Sequence, residues 1–499
     1  MIDAAVSDLP RLSEQTLDDL PTSVVKPAYR LDNTRIGIVH IGAGAFHRAH
    51  QAVYIDDLLA AHPDWAICGV SLHSTDVRDA LRPQQGLYTL LLLGQQQQLR
   101  VIGSIRELLC ARDESAAVLV RLADPTVRLV TLTVTEKGYC LAGQDLDMTH
   151  PDIVHDLAQP ESPHSAIGYV TAGLRQRWKL GLAPYTVLSC DNLTDNGHRL
   201  RRAVLQYAQQ IDPALAAWIE AQVSFPCSMV DSITPATDDA LRDRIDNELG
   251  CQDAWPIQRE TYAQWVIEDR FCNQRPPFEL AGATMSHDIA GYDRAKLRLL
   301  NGAHSTLAYL GSLLNLETVA DAMNEPLLAR FVEGLMREFI APAIALPDSL
   351  DASAYIDAIL ARFRNLAIRH RLAQIAWDGS QKLPVRLLST ISDALAADKP
   401  IDDLCLAVAA WMQFVRRQAR NGVALIDPLA DILAAVGRAC TGDAASDVDA
   451  FLQLDTIFLA PLSQNAGFIR ALQAAYAALA DGTPASASRT LAAAMNRGT

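Results

Sequence analysis

In the stretch AKLRLLNGAHSTLAYLG, a lysine, an asparagine and a histidine, Lys296, Asn301 and His304, stand in a largely apolar helical pattern. At about 100° per residue, Asn301 lies about 140° from Lys296 and His304 about 80° from it, so all three fit one broad helix face. A lysine among apolar neighbours is costly to keep charged unless it lines a cavity. A lysine with its pKa lowered by desolvation is a competent proton exchanger. Hydride transfer at an alcohol carbon needs such a group for the hydroxyl proton. Without a metal, it also needs donors aimed at the developing alkoxide. Asparagine amides suit that task, and a second candidate, Asn192, stands in SCDNLTDNG. The same spacing also fits a solvated stripe on an amphipathic helix.

A hydride needs a carrier, and the stretch IVHIGAGAFHRAHQ (residues 38–51) begins as a dinucleotide-binding loop does. Gly42 and Gly44 would let the backbone turn tightly and approach a pyrophosphate, at the start of a helix expected from about Phe46 to His62 and ended by Pro63. His47 stands where a third glycine is usual, so the helix must pack differently or the ring must point outward. His47 and Arg48 then serve as phosphate donors or as solvated first-turn residues. After the next strand, LHSTD ends in Asp76, whose carboxylate would accept from a ribose 2′-hydroxyl and repel a 2′-phosphate, favouring NAD over NADP. Its separation from Gly44 exceeds the usual ~20 residues.

The elements that must position these groups alternate up to about residue 235. RIGIVHIG, WAICGVSL, VRLVTLTV and YTVLSCDN read as strands, each followed by turn chemistry and a helical pattern. Strands separated by helices imply βαβ crossovers, a mostly parallel sheet and ligands at the carboxyl ends of its strands, where GAGAF, TEKGYC and DNLTDNG fall. From about residue 290 long helical windows take over. The expected architecture is an α/β Rossmann-type N-terminal domain over 1–288 and an all-α C-terminal domain over 289–499. The run QQQQ at 95–98 reads as a solvated hairpin tip.

Composition narrows the partners. With 43 Lys and Arg against 58 Asp and Glu, the formal net charge is −15, which argues against nucleic acid or an anionic membrane as partner. A small anion would need a local basic pocket. The N-terminus lacks an apolar signal core and no run approaches the roughly 18 apolar residues of a membrane helix, so a cytoplasmic protein is expected. The nine cysteines include no CxxC pair and the twelve histidines no HExxH spacing, so free thiols and no bound metal are expected.

Taken in order, HIGAGAFHRAHQAVY, TEKGYC, SCDNLTDNGH, FPCSMVD, WVIED, KLRLLNGAHS and DGSQKLP resemble the mannitol dehydrogenase family of polyol-specific long-chain dehydrogenases over nearly the whole chain. In that family His47 is a regular feature of the loop. The resemblance implies a monomeric, zinc-independent NAD(P) enzyme. It makes Lys296 the general acid/base, Asn192 and Asn301 the oxyanion-stabilising pair, His304 and Asp231 partners of substrate hydroxyls, and Asp293 a proton relay. It places Gly42, Gly44, Ala45, Phe46, His47, Asp76 and Glu136 around NAD. Lys137 and the segment AIRHRLAQIAWDGSQKLPVRLL are more similar to the fructuronate reductases than to the polyol enzymes. Arg369, Arg371 and Lys382, with His370 and Arg386, would suit the carboxylate of a sugar acid. The expected reaction is D-fructuronate plus NADH to D-mannonate plus NAD. The alternatives are a mannitol 2-dehydrogenase or D-arabinitol dehydrogenase acting on neutral polyols, and, from another class, a non-catalytic NAD-sensing protein.

Overall fold

Short runs of Val, Ile and Leu build the centre of the N-terminal unit. A computed structural model describes residues 9–496. Its strands are β1 (Ile36–Ile41), β2 (Ala66–Ser71), β3 (Tyr88–Leu93), β4 (Gln98–Ile102), β5 (Ile105–Cys110), β6 (Leu129–Leu132), β7 (Leu141–Ala142), β8 (Asp145–Leu146), β9 (Thr186–Ser189), β10 (Ser228–Asp231), β11 (Ile257–Glu260), β12 (Gln264–Glu268) and β13 (Thr284–Ser286). Five of them form a wholly parallel sheet in the order β5-β2-β1-β6-β9. The order reverses between β1 and β6, the place where doubly wound sheets open a ligand crevice. The central strands are buried on both faces, as parallel strands covered by helices must be.

Two smaller mixed sheets, β10-β12-β13 and β11-β3-β4, and the antiparallel pair β7-β8 complete the sheets of this unit. The β3 and β4 strands pair antiparallel, and the exposed glutamines between them form the tip of that hairpin. Strand β5 does not stand out in the sequence because Arg106 and Glu107 interrupt its apolar run. As an edge strand it can carry them half-exposed, with Glu107 paired to Arg121 at 2.7 Å.

The helix expected over 46–62 is instead two pieces, Ala45–Ala49 and Gln51–Leu58, broken at His50 (φ −123°, ψ −87°). The buried His50 ring reaches the Gln264 carbonyl of β12 at 3.0 Å, a bond outside the helix that holds the break open.

The chain divides into two compact units, up to Ala290 and from Gly291 onward. The named elements of the second are all helices, around a core that includes the long helix Asp402–Arg420 with Trp411. No helix among the described residues is long and apolar enough to cross a membrane.

Candidate active site

The glycine loop follows β1. Gly42 takes φ +99°, and a Cβ there would lie 2.1 Å from the Thr133 carbonyl, so only glycine fits where the loop passes the end of β6. Gly44 is exposed and a Cβ on it would meet only the Gly42 carbonyl, at 3.8 Å. Ala45 is likewise exposed and Phe46 half-exposed. This is a shallow glycine cradle at the sheet's switch point, and it suits the pyrophosphate of a dinucleotide. The following helix has only five residues, so the cradle depends on the loop backbone more than on a long helix dipole.

His47 and Arg48 correct the sequence reading, because neither is a solvated residue or an outward donor. Both are 1% exposed. The His47 ring stacks on His40 of β1, centroids 3.4 Å apart and planes 13° apart. His40 Nδ1 sits 2.7 Å from the Thr131 hydroxyl and Nε2 3.1 Å from the Gly42 carbonyl. A carbonyl only accepts, so the His40 proton sits on Nε2. Burial pushes His40 down to about 3 and His47 well below the usual histidine value, so both are neutral rings that pack beneath the loop. Arg48 donates to the Trp255 carbonyl at 2.8 Å and lies over the Tyr88 and Trp255 rings.

Asp76 is exposed at the first turn of helix Asp76–Leu81, and Glu136 is exposed just after β6. A residue that sequence reasoning missed holds the ends of β6 and β9 together. Asp191, buried, accepts from the amides of Val134 (3.1 Å) and Thr135 (2.8 Å) and from the Tyr139 hydroxyl (2.7 Å). Burial raises its pKa, and those donors pull it back toward the usual range. Beside it, Asn192 is exposed. Asp231 closes β10, buried, paired in register with Gln264.

In the C-terminal unit Lys296 is 8% exposed and opens a π turn, Lys296–Leu300. The Asn301 amide closes this turn onto the Lys296 carbonyl, the i→i+5 bond of a π-helix. A spacing of five therefore stacks Lys296 and Asn301 about one turn apart, nearer than the α-helical wheel placed them. Gly302 lets the next turn approach a second π turn, Pro384–Leu388: a Cβ there would lie 3.1 Å from the Arg386 carbonyl. Arg386 donates to the Asn301 carbonyl (3.4 Å) and the Ser305 hydroxyl (3.1 Å). His304 packs on Phe363 (4.4 Å) and His370 (5.3 Å), and among the described residues its buried Nε2 has no hydrogen-bond partner. Burial first, then the charges of His370, Arg362 and Arg386, hold His304 well below its usual pKa. Asp293 is half-buried one turn before Lys296.

Residues 36–280 match the mannitol dehydrogenase Rossmann domain and residues 288–480 the mannitol dehydrogenase C-terminal domain. The chain belongs to the mannitol dehydrogenase family. It is 42% identical over 476 residues to the D-mannonate oxidoreductase of Escherichia coli, covering 93% of this chain and 98% of that one. It is 38% identical over 437 residues to a mannitol 2-dehydrogenase of Phaeosphaeria nodorum, 85% of this chain and 77% of that one. The solved Pseudomonas fluorescens mannitol 2-dehydrogenase, a ternary complex with NAD and D-mannitol, superposes with a TM-score of 0.79 at 38% identity, covering 98% of this chain and all of that one. As a member of the mannitol dehydrogenase family the chain is an oxidoreductase, a dehydrogenase built on a Rossmann domain and a helical domain.

Within this family frame the basic residues do not gather as their sequence spacing suggests. Arg369 and Arg371 are exposed and face Glu317 at 3.4 and 3.9 Å. Arg371 also lines a cavity of about 560 Å³ with Glu317 and Trp377, whose lining holds none of Lys296, Asn301, His304, Lys382 or Arg386. Lys382 instead turns inward. Its amine reaches the Ile375 carbonyl at 3.4 Å, and its pKa is lowered by burial first and by Arg386 next. The basic groups beside His304 are therefore Arg362, Arg386 and the His370 ring, with Lys382 next to His370 and Arg386, whereas Arg369 and Arg371 are solvent-facing.

Proposed function

We propose that the chain interconverts a ketohexuronate and a hexonate with NAD, in the reductive direction D-fructuronate plus NADH to D-mannonate plus NAD. The observation that carries this reading is the half-buried pair of cations Lys382 and Arg386, with Lys382 near His370 and Arg386 near His304. In a chain of net charge −15, cations held out of solvent suit a carboxylate, which charge-assisted hydrogen bonds fix strongly. The similarity to a D-mannonate oxidoreductase points the same way.

The nicotinamide, when bound, supplies or accepts the hydride. Gly42 and Gly44 receive its pyrophosphate, with Ala45, Phe46 and Glu136 lining the cofactor; His47 is assigned to support of the loop from beneath. In reduction Lys296 Nζ, protonated, gives its proton to the carbonyl oxygen, while the amides of Asn301 and Asn192 stabilise the negative charge on that oxygen. His304 Nε2 and the Asp231 carboxylate take neighbouring hydroxyls, and Asp293 relays a proton from solvent back to the lysine. In oxidation each role reverses and the neutral amine is required.

Following NADH oxidation with D-fructuronate, D-tagaturonate and D-fructose in parallel tests the reading, with a marked preference for fructuronate expected. Losing one charge-assisted hydrogen bond is worth about 1.5–3 kcal/mol, so Lys382→Ala should raise KM for fructuronate about 10- to 100-fold. The change for fructose should be far smaller. The second reading, a neutral polyol dehydrogenase, is favoured by the solvent pairing of Arg369 and Arg371, and a preference for fructose would establish it.

Asp76 is assigned the ribose 2′-hydroxyl. Asp76→Ala is expected to relax discrimination of NADH over NADPH, and an unchanged ratio of kcat/KM for the two cofactors removes Asp76 from the site.

A further inference from the structure

Away from the glycine loop, a carboxylate, an imidazole and a thiol converge on one point in the N-terminal unit. We propose that Asp195, His198 and Cys227 form a site for a divalent transition-metal ion of the zinc class, with a fourth position left to water. His198 Nδ1 hydrogen-bonds Asp195 Oδ1 and lies 3.7 Å from Cys227 Sγ, which in turn is 3.8 Å from Asp195 Oδ1. Around a tetrahedral ion with metal–sulfur bonds of about 2.3 Å and metal–nitrogen or –oxygen bonds of about 2.0 Å, sulfur sits roughly 3.5 Å from each other ligand. Both sulfur edges are within a few tenths of an ångström of that value. The Asp195–His198 edge has to open, and both side chains are about half exposed (54% and 52%) and free to turn.

A nucleophile-activating triad is the rival arrangement for these residue types, and it needs the imidazole between its partners, one at each ring nitrogen. Here the thiol and the carboxylate face the same nitrogen, Nδ1. That is the geometry of three ligands around one ion.

The backbone holds the ligands in place without a metal. Asp195 stands in the left-handed region (φ +60°) as the residue before helix Asn196–Ile211, which brings His198, three residues on, to the same side. The Asn196 side chain donates to the Asp191 carbonyl (3.0 Å) and the Ser228 carbonyl (2.8 Å) and accepts from the Ser228 amide (3.0 Å), tying that helix to the strand Cys227 precedes. The Cys227 amide is itself held by the Glu268 carboxylate at 2.9 Å. When the ion binds, the sulfur–metal bond forms as the thiol proton leaves to solvent, with no change of oxidation state. Occupancy ties down the turn 192–195, a route by which metal can adjust turnover without entering hydride transfer.

The test is Co²⁺ titrated into the metal-stripped full chain. One equivalent should bind with a thiolate-to-cobalt charge-transfer band that Zn²⁺ discharges. Cys227→Ser should abolish the band, and His198→Ala should weaken binding tenfold or more. Cys140→Ser, in the second three-residue group with His150 and Asp152, should leave both unchanged. No band in the parent protein, a band that survives Cys227→Ser, or a Co²⁺ affinity unchanged in His198→Ala overturns the proposal. His198 and Asp195 are exposed, so His198→Ala and Asp195→Asn keep the test decisive even where Cys227→Ser does not fold.

Discussion

Lys296→Ala is expected to lower kcat in both directions by about 10²- to 10⁴-fold, the range for loss of a positioned acid/base. NADH binding, read by its fluorescence, should be unchanged, because the glycine cradle belongs to the other unit and Lys296 is assigned to the proton alone. Oxidation uses the neutral amine, so its rate should rise with pH in the parent enzyme, and that rise should vanish in the variant. The geometry behind the size of this effect is the π turn: it points the Lys296 carbonyl at the Asn301 amide and brings the amine and the amide side chain about one turn apart. Forcing the segment back to α geometry, by deleting one residue within 297–300, should cost activity comparably while leaving both functional side chains in the chain. Near-normal turnover in Lys296→Ala would sink the mechanism.

That turn also marks where reading a sequence stops. The identities of Lys296, Asn301 and His304 stand out because polar groups interrupt an apolar run, but the wheel that related them assumed α-helical pitch. A widened turn depends on packing against a second widened turn, Pro384–Leu388, through Gly302 and the Arg298–Thr390 hydrogen bond at 2.9 Å. No local signal carries that. The strands β1, β2, β6 and β9 are legible because buried parallel strands are nearly continuous apolar runs, whereas the edge strand β5 tolerates charges that break its apolar run. Arg369, Arg371 and Lys382 show the same limit in another form: charges close in sequence look like one cluster, yet only Lys382 faces His304's surroundings. Asp191 escaped notice because its role comes from the backbone amides that converge on it, and a sequence does not display where amides point.

The buried pair His40 and His47 leads to the second large effect, an acid limit on stability. Both folded-state values lie below the ordinary 6.5, so above pH 6.5 the rings are neutral folded or unfolded and nothing is lost. As pH falls below 6.5 the unfolded chain takes up protons that the folded one refuses, and stability declines by about 1.4 kcal/mol per pH unit for each ring. For His40 the decline continues to about pH 3, in total about 5 kcal/mol, a large part of a typical domain's stability. Asp56, Asp191 and Asp253, whose pKa values burial raises, run the other way, since their folded forms keep protons that the unfolded chain loses. A single denaturation curve against pH therefore mixes both signs. Comparing the parent with His47→Phe separates them: phenylalanine keeps the stacked ring and removes the titration. Unfolding free energies from urea titrations between pH 7 and pH 4.5 should fall less steeply in the variant, by about 1.4 kcal/mol per pH unit. Parallel slopes would mean that the His47 ring gains a proton as readily folded as unfolded, and that the imidazole stack beneath the glycine loop is open to water.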